Sequence, residues 1–242
     1  MTYCVGLKLN EGLVLLSDTR TNAGLDNIST YRKMFFFEEP GERAIVIMTA
    51  GSLSVTQTTI ARLHEAISDP DADENTSIMK AGSMLRIATI IGDTLLDTRR
   101  EIAEHMRDMQ GMAPSASMIV AGQRRDGHMR LFLIYPEGNF IEATDDTPFL
   151  QIGEHKYGKP ILDRVVRPDT SLQDAQKAVL LSMDSTLRSN LSVGMPLDLA
   201  VIRADDLRIS TSRRIEEGDP AFMEMSVAWS NALRESFIKI RI

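Results

Sequence analysis

Apolar residues open the chain in two short runs, Tyr3 to Leu9 and Leu13 to Ser17, separated by Asn10-Glu11-Gly12. Two such runs around a short glycine-containing turn predict a β-hairpin. The runs are nearly continuous rather than alternating, which predicts a sheet covered on both faces. Met34 to Phe37 and Ala44 to Met48, around Glu38-Glu39-Pro40-Gly41-Glu42, predict a second hairpin. The period then changes. Leu53, Val55, Ile60, Leu63 and Ile67 predict a helix over Ser52 to Ile67, with a loop at Asp69-Pro70-Asp71. Leu85, Ala88, Ile91, Leu95, Ile102 and Met106 share one stripe of a longer helix over Ala81 to Met109. Gly92 weakens its middle and Gly111 suits its end.

Strand patterns return at Ser117 to Ala121, Met129 to Tyr135, Phe140 to Ala143 and Phe149 to Ile152, joined through Asp126-Gly127 and Pro136-Glu137-Gly138. Thr170-Ser171-Leu172-Gln173 fits a capping box ahead of a helix from Ser171 to Leu187. Leu199 to Arg203 and Leu207 to Ile209 read as a last strand pair. Asp219 and Pro220 then suit the N-cap and first position of a terminal helix, with Phe222, Met225, Trp229 and Leu233 on one face. Runs of strands segregated from helices argue against a parallel βαβα sheet. They fit an α+β fold of two antiparallel sheets with helices outside both. No repeat, low-complexity tract or linker divides residues 1–242, so one domain with a helical extension at about 219–236 is expected.

Composition narrows the function. The chain has 242 residues, 43% apolar and 25% charged, enough to bury a large core without staples. Its net charge is −7, and the basic pair Arg213-Arg214 is followed by Glu216 and Glu217, so nothing points to nucleic acid. The single cysteine, Cys4, excludes an internal disulfide framework and sits in an apolar run as a small core residue. No segment reaches the roughly 20 apolar residues of a membrane span. The first residues lack the charged start of a signal peptide, so a cytoplasmic protein is expected. His64, His105, His128 and His155 show no metal spacing, and no cofactor motif is present. The 14 methionines read as core or subunit contacts.

The chemistry is concentrated at the amino end. Removal of the initiator methionine would leave Thr2 first, combining a hydroxyl nucleophile with an amine of reference pKa about 7.7–8.0 that can take its proton. A Met-Thr start alone is common and says little. Asp18 closes the second predicted strand and Lys33 stands just before the third, so neighbouring strands bring both toward Thr2. An ammonium beside the hydroxyl favours the alkoxide, and a carboxylate keeps that ammonium charged and directed. Taken singly, Lys33 is a surface cation and Asp18 a turn carboxylate; their joint spacing carries the reading. Thr49-Ala50-Gly51-Ser52 joins a predicted strand to a predicted helix. There Gly51 permits close backbone approach, and its N–H suits an oxyanion.

Thr2 together with Ser17-Asp18-Thr19-Arg20-Thr21-Asn22-Ala23-Gly24 resembles the opening of proteasome β-type subunits, which are N-terminal-nucleophile (Ntn) hydrolases. Lys33 falls where that family has its lysine, and Ala50-Gly51 resembles its substrate-lining pair. The run from Thr2 to Met34, the stretch Arg188-Ser189-Asn190-Leu191-Ser192-Val193-Gly194 and the long terminal helix resemble the bacterial ancestral β-subunit group, Anbu. The resemblance implies a four-layer αββα sandwich, a homo-oligomer in ring or open-spiral form, and threonine-dependent hydrolysis of peptide or protein substrates. It implies Thr2 as nucleophile and its amine as base, Lys33 as the group tuning it and Asp18 as the residue orienting Lys33. It also implies Gly51 as oxyanion donor, with Asn22 where a family threonine pairs its backbone with an extended substrate.

Two departures are visible. Lys33 lies one residue nearer Thr2 than in typical subunits. The family's late Asp-x-x-Ser-Gly pattern is replaced by Ser189-x-x-Ser192, with Val193 before Gly194. A non-catalytic assembly subunit and a small-molecule amidase are the rival readings, since fold alone does not fix function. An ATP-dependent unfoldase partner is compatible with the resemblance, but no residue points to one.

Overall fold

The protein is described by a computed structural model covering residues 1–22, 28–106 and 114–241. The first hairpin forms as expected, from β1 (Tyr3–Leu9) and β2 (Gly12–Asp18). A short hairpin, β3 (Arg20–Asn22) and β4 (Ile28–Thr30), leads to β5 (Met34–Glu39) and β6 (Arg43–Gly51). Helices α1 (Leu53–Ser68) and α2 (Met84–His105) follow, then β7 (Ala116–Arg124), β8 (Arg130–Ile134), β9 (Phe140–Glu142) and β10 (Phe149–Gly153). The chain ends with α3 (Lys159–Val165), α4 (Leu172–Ser189), β11 (Leu197–Arg203), β12 (Thr211–Ile215) and α5 (Pro220–Lys239).

Two five-stranded antiparallel sheets result, in the orders β10-β1-β2-β11-β12 and β5-β6-β7-β8-β9. Side chains alternate faces along a strand. The apolar runs of the central strands therefore feed two cores each. Tyr3, Val5, Leu7, Val14 and Leu16 pack outward with Leu162, Leu172, Val179 and Met183 of α3 and α4. Cys4, Leu13 and Leu15 point the other way, onto Val46, Met48, Ile119 and Leu131 of the second sheet. The far face of that sheet, with Ile45, Ile47, Val120 and Phe132, packs on Val55, Leu63, Ile87, Ile91 and Leu95 of α1 and α2. Helix, sheet, sheet, helix is the expected four-layer αββα sandwich.

Several local expectations change. The cap of α4 is Ser171, whose Oγ accepts from Asp174 N at 3.1 Å, because the Thr170 hydroxyl instead accepts from Arg167 N at 2.9 Å. The partner of β11 is not Leu207 to Ile209 but Thr211–Ile215. Leu207 has φ +47°, so the chain turns there, and the true strand is a polar edge without an apolar pattern. Helix α2 starts at Met84 rather than Ala81, because Ser83 Oγ accepts from Arg86 N at 3.1 Å and caps it. Met109 and Gly111 lie outside the described residues. The segments β3, β4 and α3 are too short to show a period and were not expected. The inner face of α5 carries Phe222 against the outer core, with Met225 and Trp229 half-buried, whereas Leu233 is exposed. Among the described residues no helix is long and apolar enough to cross a membrane.

Candidate active site

Thr2 stands just ahead of β1, which lies between β10 and β2. Its backbone is fastened by the neighbouring strands. The Glu154 N–H, just past β10, donates to Thr2 O at 2.7 Å. On the other side, Tyr3 N–H donates to Asp18 Oδ1 at 3.1 Å. The β1–β2 register, Cys4 opposite Ser17, carries Asp18 to that position at the end of its strand.

Asp18 is fully buried and all its contacts are charged or backbone donors. Oδ1 also accepts from Lys33 Nζ at 2.8 Å, and Oδ2 accepts from Gly194 N at 3.3 Å. Burial pushes its carboxyl up from the ordinary range. The Lys33 ammonium and the N–H groups of Tyr3 and Gly194 pull it back in part. Lys33 itself is buried and uses three acceptors: Asp18 Oδ1, Arg20 O at 2.6 Å and Met1 O at 3.4 Å. Its position follows from the fold, because Lys33 O accepts from Thr49 N at 2.9 Å, stitching the start of β5 to β6. The ammonium thus reaches the carbonyl joined to the Thr2 nitrogen.

Thr2 and Lys33 line one cleft of about 370 Å³ with Met1, Thr21, Arg32, Thr49, Ala50, Gly51, Leu53 and Thr56. The Thr2 hydroxyl makes no hydrogen bond to a described residue, Lys33 included. Gly51 ends β6 immediately before the Ser52 N-cap of α1, the expected strand-to-helix joint, and its φ of +111° disfavours any side chain. A Cβ there would also lie 2.3 Å from Ser115 O. Thr2, Asp18, Lys33 and Gly51 are therefore brought together. Asn22 ends β3 with its backbone opposite Ile28, and its side chain lies outside the described residues. Ser189 and Ser192 make no hydrogen bond to Thr2, Asp18 or Lys33; the Ser192 N–H is held by Asn190 Oδ1 at 2.9 Å.

Sequence reasoning missed the groups that hold Thr2, Asp18 and Lys33: the N–H of Tyr3 and Glu154, the carbonyl of Arg20, and the use of the Gly194 N–H by Asp18. All are backbone atoms, which carry no residue signature. Cys4 is a core residue, as expected. Its thiol donates to Thr49 O at 3.7 Å, and burial pushes its pKa well up. Among the described residues no group of histidine, cysteine and carboxylate side chains could hold a metal.

Comparison with known proteins agrees with this architecture. The family model described as proteasome subunit matches residues 2–202. The proteasome subunit beta 2 of Pyrobaculum calidifontis is 26% identical over 206 residues, 84% of this chain and 90% of that protein. Among solved structures, an Anbu (Gly-1) mutant from Hyphomicrobium sp. strain MC1 matches with TM-score 0.92 and 48% identity, covering 100% of this chain and 99% of that one. Anbu (ancestral beta-subunit) from Yersinia bercovieri matches with TM-score 0.90 and 44% identity, covering 99% and 98%. A helical assembly of the Anbu complex from Pseudomonas aeruginosa matches with TM-score 0.91 and 42% identity, covering 99% and 97%. With a matching family model over most of its length and such relatives across nearly all of it, the chain belongs to the proteasome subunit family, alongside the Anbu ancestral beta-subunit proteins.

Proposed function

We propose that this chain is an N-terminal threonine peptidase or amidohydrolase, acting on peptide bonds once Met1 is removed. The observation that carries the reading is the Lys33 ammonium, buried against Asp18 and hydrogen bonded to the carbonyl that precedes the Thr2 nitrogen. With Met1 gone, the Thr2 hydroxyl attacks the substrate carbonyl carbon and its proton passes to the new α-amine, directly or through a water. Lys33 lowers the cost of the developing alkoxide, and Asp18 holds Lys33 charged. The oxyanion is received by the Gly51 N–H, a type of donor worth about 2.7–4 kcal/mol in acyl transfer. Collapse of the tetrahedral intermediate breaks the C–N bond; the amine leaves with the proton, and an ester remains on Thr2 Oγ1. Water then attacks that ester, giving its proton to the amine, and the threonine hydroxyl is restored.

The same reading makes Asn22 a backbone partner of an extended substrate and α5 an extension of one domain. The protein is then a cytoplasmic homo-oligomer whose substrates are peptides or proteins. The helical assembly of the Anbu complex from Pseudomonas aeruginosa supports the oligomer.

The test is intact mass and N-terminal sequencing of the assembled protein, followed by a threonine-directed electrophile such as a peptide epoxyketone. The expected result is a chain beginning at Thr2 with one adduct there, lost in Thr2→Ala. Purified assembled protein that retains Met1 and takes up no adduct would overturn the proposal.

A further inference from the structure

Although the chain carries a net charge of −7, the cleft beside Thr2 has no carboxylate among its described lining residues and two cations, Arg32 and Lys33. Lys33 is committed to Asp18, Arg20 O and Met1 O. Arg32 is exposed and has no hydrogen bond or ion pair to any described residue. The hydroxyls of Thr21 and Thr49 likewise have no partner among the described residues, while Thr56 Oγ1 donates to Leu53 O at 3.1 Å. Ala50 and Leu53 add apolar, uncharged surface to the same cleft. Among the described residues, this guanidinium and these two hydroxyls form a donor set without an acceptor. Its chemical complement is a carboxylate, which a guanidinium can grip with two parallel N–H bonds.

We infer that Arg32 makes the cleft selective for an acidic residue, glutamate or aspartate, at the substrate position whose carbonyl Thr2 attacks. That residue must lie against Thr2 and Lys33, so its side chain enters the space that Arg32 lines. The inference rests on the catalytic proposal above for the identity of the attacked carbonyl, and on the lining residues for the charge preference. Arg32 acts as a specificity residue and takes no part in proton transfer. Its exposure keeps the attraction sensitive to salt.

The experiment uses assembled protein beginning at Thr2 and peptide substrates identical except for Glu, Gln, Leu or Lys at the attacked position. Glu is expected to exceed Gln in kcat/KM by about tenfold, the lower end of what a hydrogen bond to a charged group adds. The ratio should fall as sodium chloride is raised, collapse toward one in Arg32→Gln, and reverse in favour of Lys in Arg32→Glu. Binding of the same peptides to Thr2→Ala provides a readout independent of turnover, with the same Glu-over-Gln order expected. Reaction of the wild type with a neutral epoxyketone reports the catalytic machinery separately. A Thr2 adduct with equal kcat/KM and equal binding for Glu and Gln would overturn the selectivity and leave the peptidase standing. No adduct, yet Glu-selective binding lost in Arg32→Gln, would overturn the peptidase and leave an acid-selective cleft.

Discussion

At the scale of single residues, the Asp18–Lys33 pair decides most. Both side chains are almost wholly removed from water, 0% and 6% exposed. Breaking a buried pair by removing one partner leaves an uncompensated charge, at a cost of about 3–5 kcal/mol. Asp18→Asn should therefore lower the urea midpoint by an amount equivalent to about 3 kcal/mol and also slow electrophile capture at Thr2. A variant with unchanged stability would show that the ammonium does not depend on Asp18. The rate of capture should fall as pH drops through about 7.7–8.0, because a protonated α-amine cannot accept the hydroxyl proton. A further fall should follow when Asp18 protonates, at a pH above the exposed-carboxylate value of about 3.9 because burial raises it. A flat profile of modification rate between pH 6 and pH 9 would remove the amine from the mechanism. The convergence of Thr2, Asp18 and Lys33 was readable in the sequence, because strand ends in consecutive hairpins come together. The peptide groups that grip them were not, since every residue type offers the same N–H and C=O.

At the scale of elements, Gly92 shows where pattern reading stops. Taken as part of a helix it is a weak spot, about 1 kcal/mol poorer than alanine. In the fold it faces the β8–β9 turn, and a Cβ there would stand 2.2 Å from Gly138 O. Gly92→Ala should thus destabilise by about 1–3 kcal/mol despite its gain in helix propensity, measured as a lower thermal midpoint. A higher midpoint would mean that the turn can move aside. Helix α5 makes a second case. Asp219 accepts from Phe222 N at 2.9 Å and from Arg213 at 2.7 Å, and the first of these chiefly holds its carboxyl below the ordinary range. A depressed folded pKa means the stabilisation is present above the unfolded value of about 3.9 and lost as pH falls through the folded one. Trp229, the only tryptophan, lies half-buried on this helix. Its emission should redden below about pH 4 in the native sequence, whereas Asp219→Ala should show the reddened value already at neutral pH. Equal spectra for the two proteins at neutral pH would mean that Ser226, bound to Asp184 Oδ1 at 2.7 Å and to Arg188 at 2.7 Å, and the packing of Phe222 dock α5 without the cap. The Asp219 cap could be read directly from the sequence. The strand Thr211–Ile215 could not, because an edge exposed to water needs no apolar alternation.

For the whole molecule, the layer order was legible because nearly continuous apolar strands need cover on both faces, and the helical stripes supply it from outside. Which strands become neighbours was less so. The pairing of β2 with β11 joins residues 12–18 to residues 197–203 across most of the chain, a contact that no local pattern announces. The proposed assembly belongs at this scale as well. Sedimentation velocity at micromolar concentration should show a species larger than the monomer, and a purely monomeric protein would remove the homo-oligomer from the proposal. The long-range pairing also sets the order of events during synthesis. Residue 2 leaves the ribosome long before residue 194, yet the peptide N–H that closes the Asp18 carboxylate comes from Gly194 and the flanking strand from Leu197 onward. Under the proposed activity, Thr2 would stay unarmed until residues 194–203 have been made, which would keep a growing chain from cutting itself or its neighbours before then.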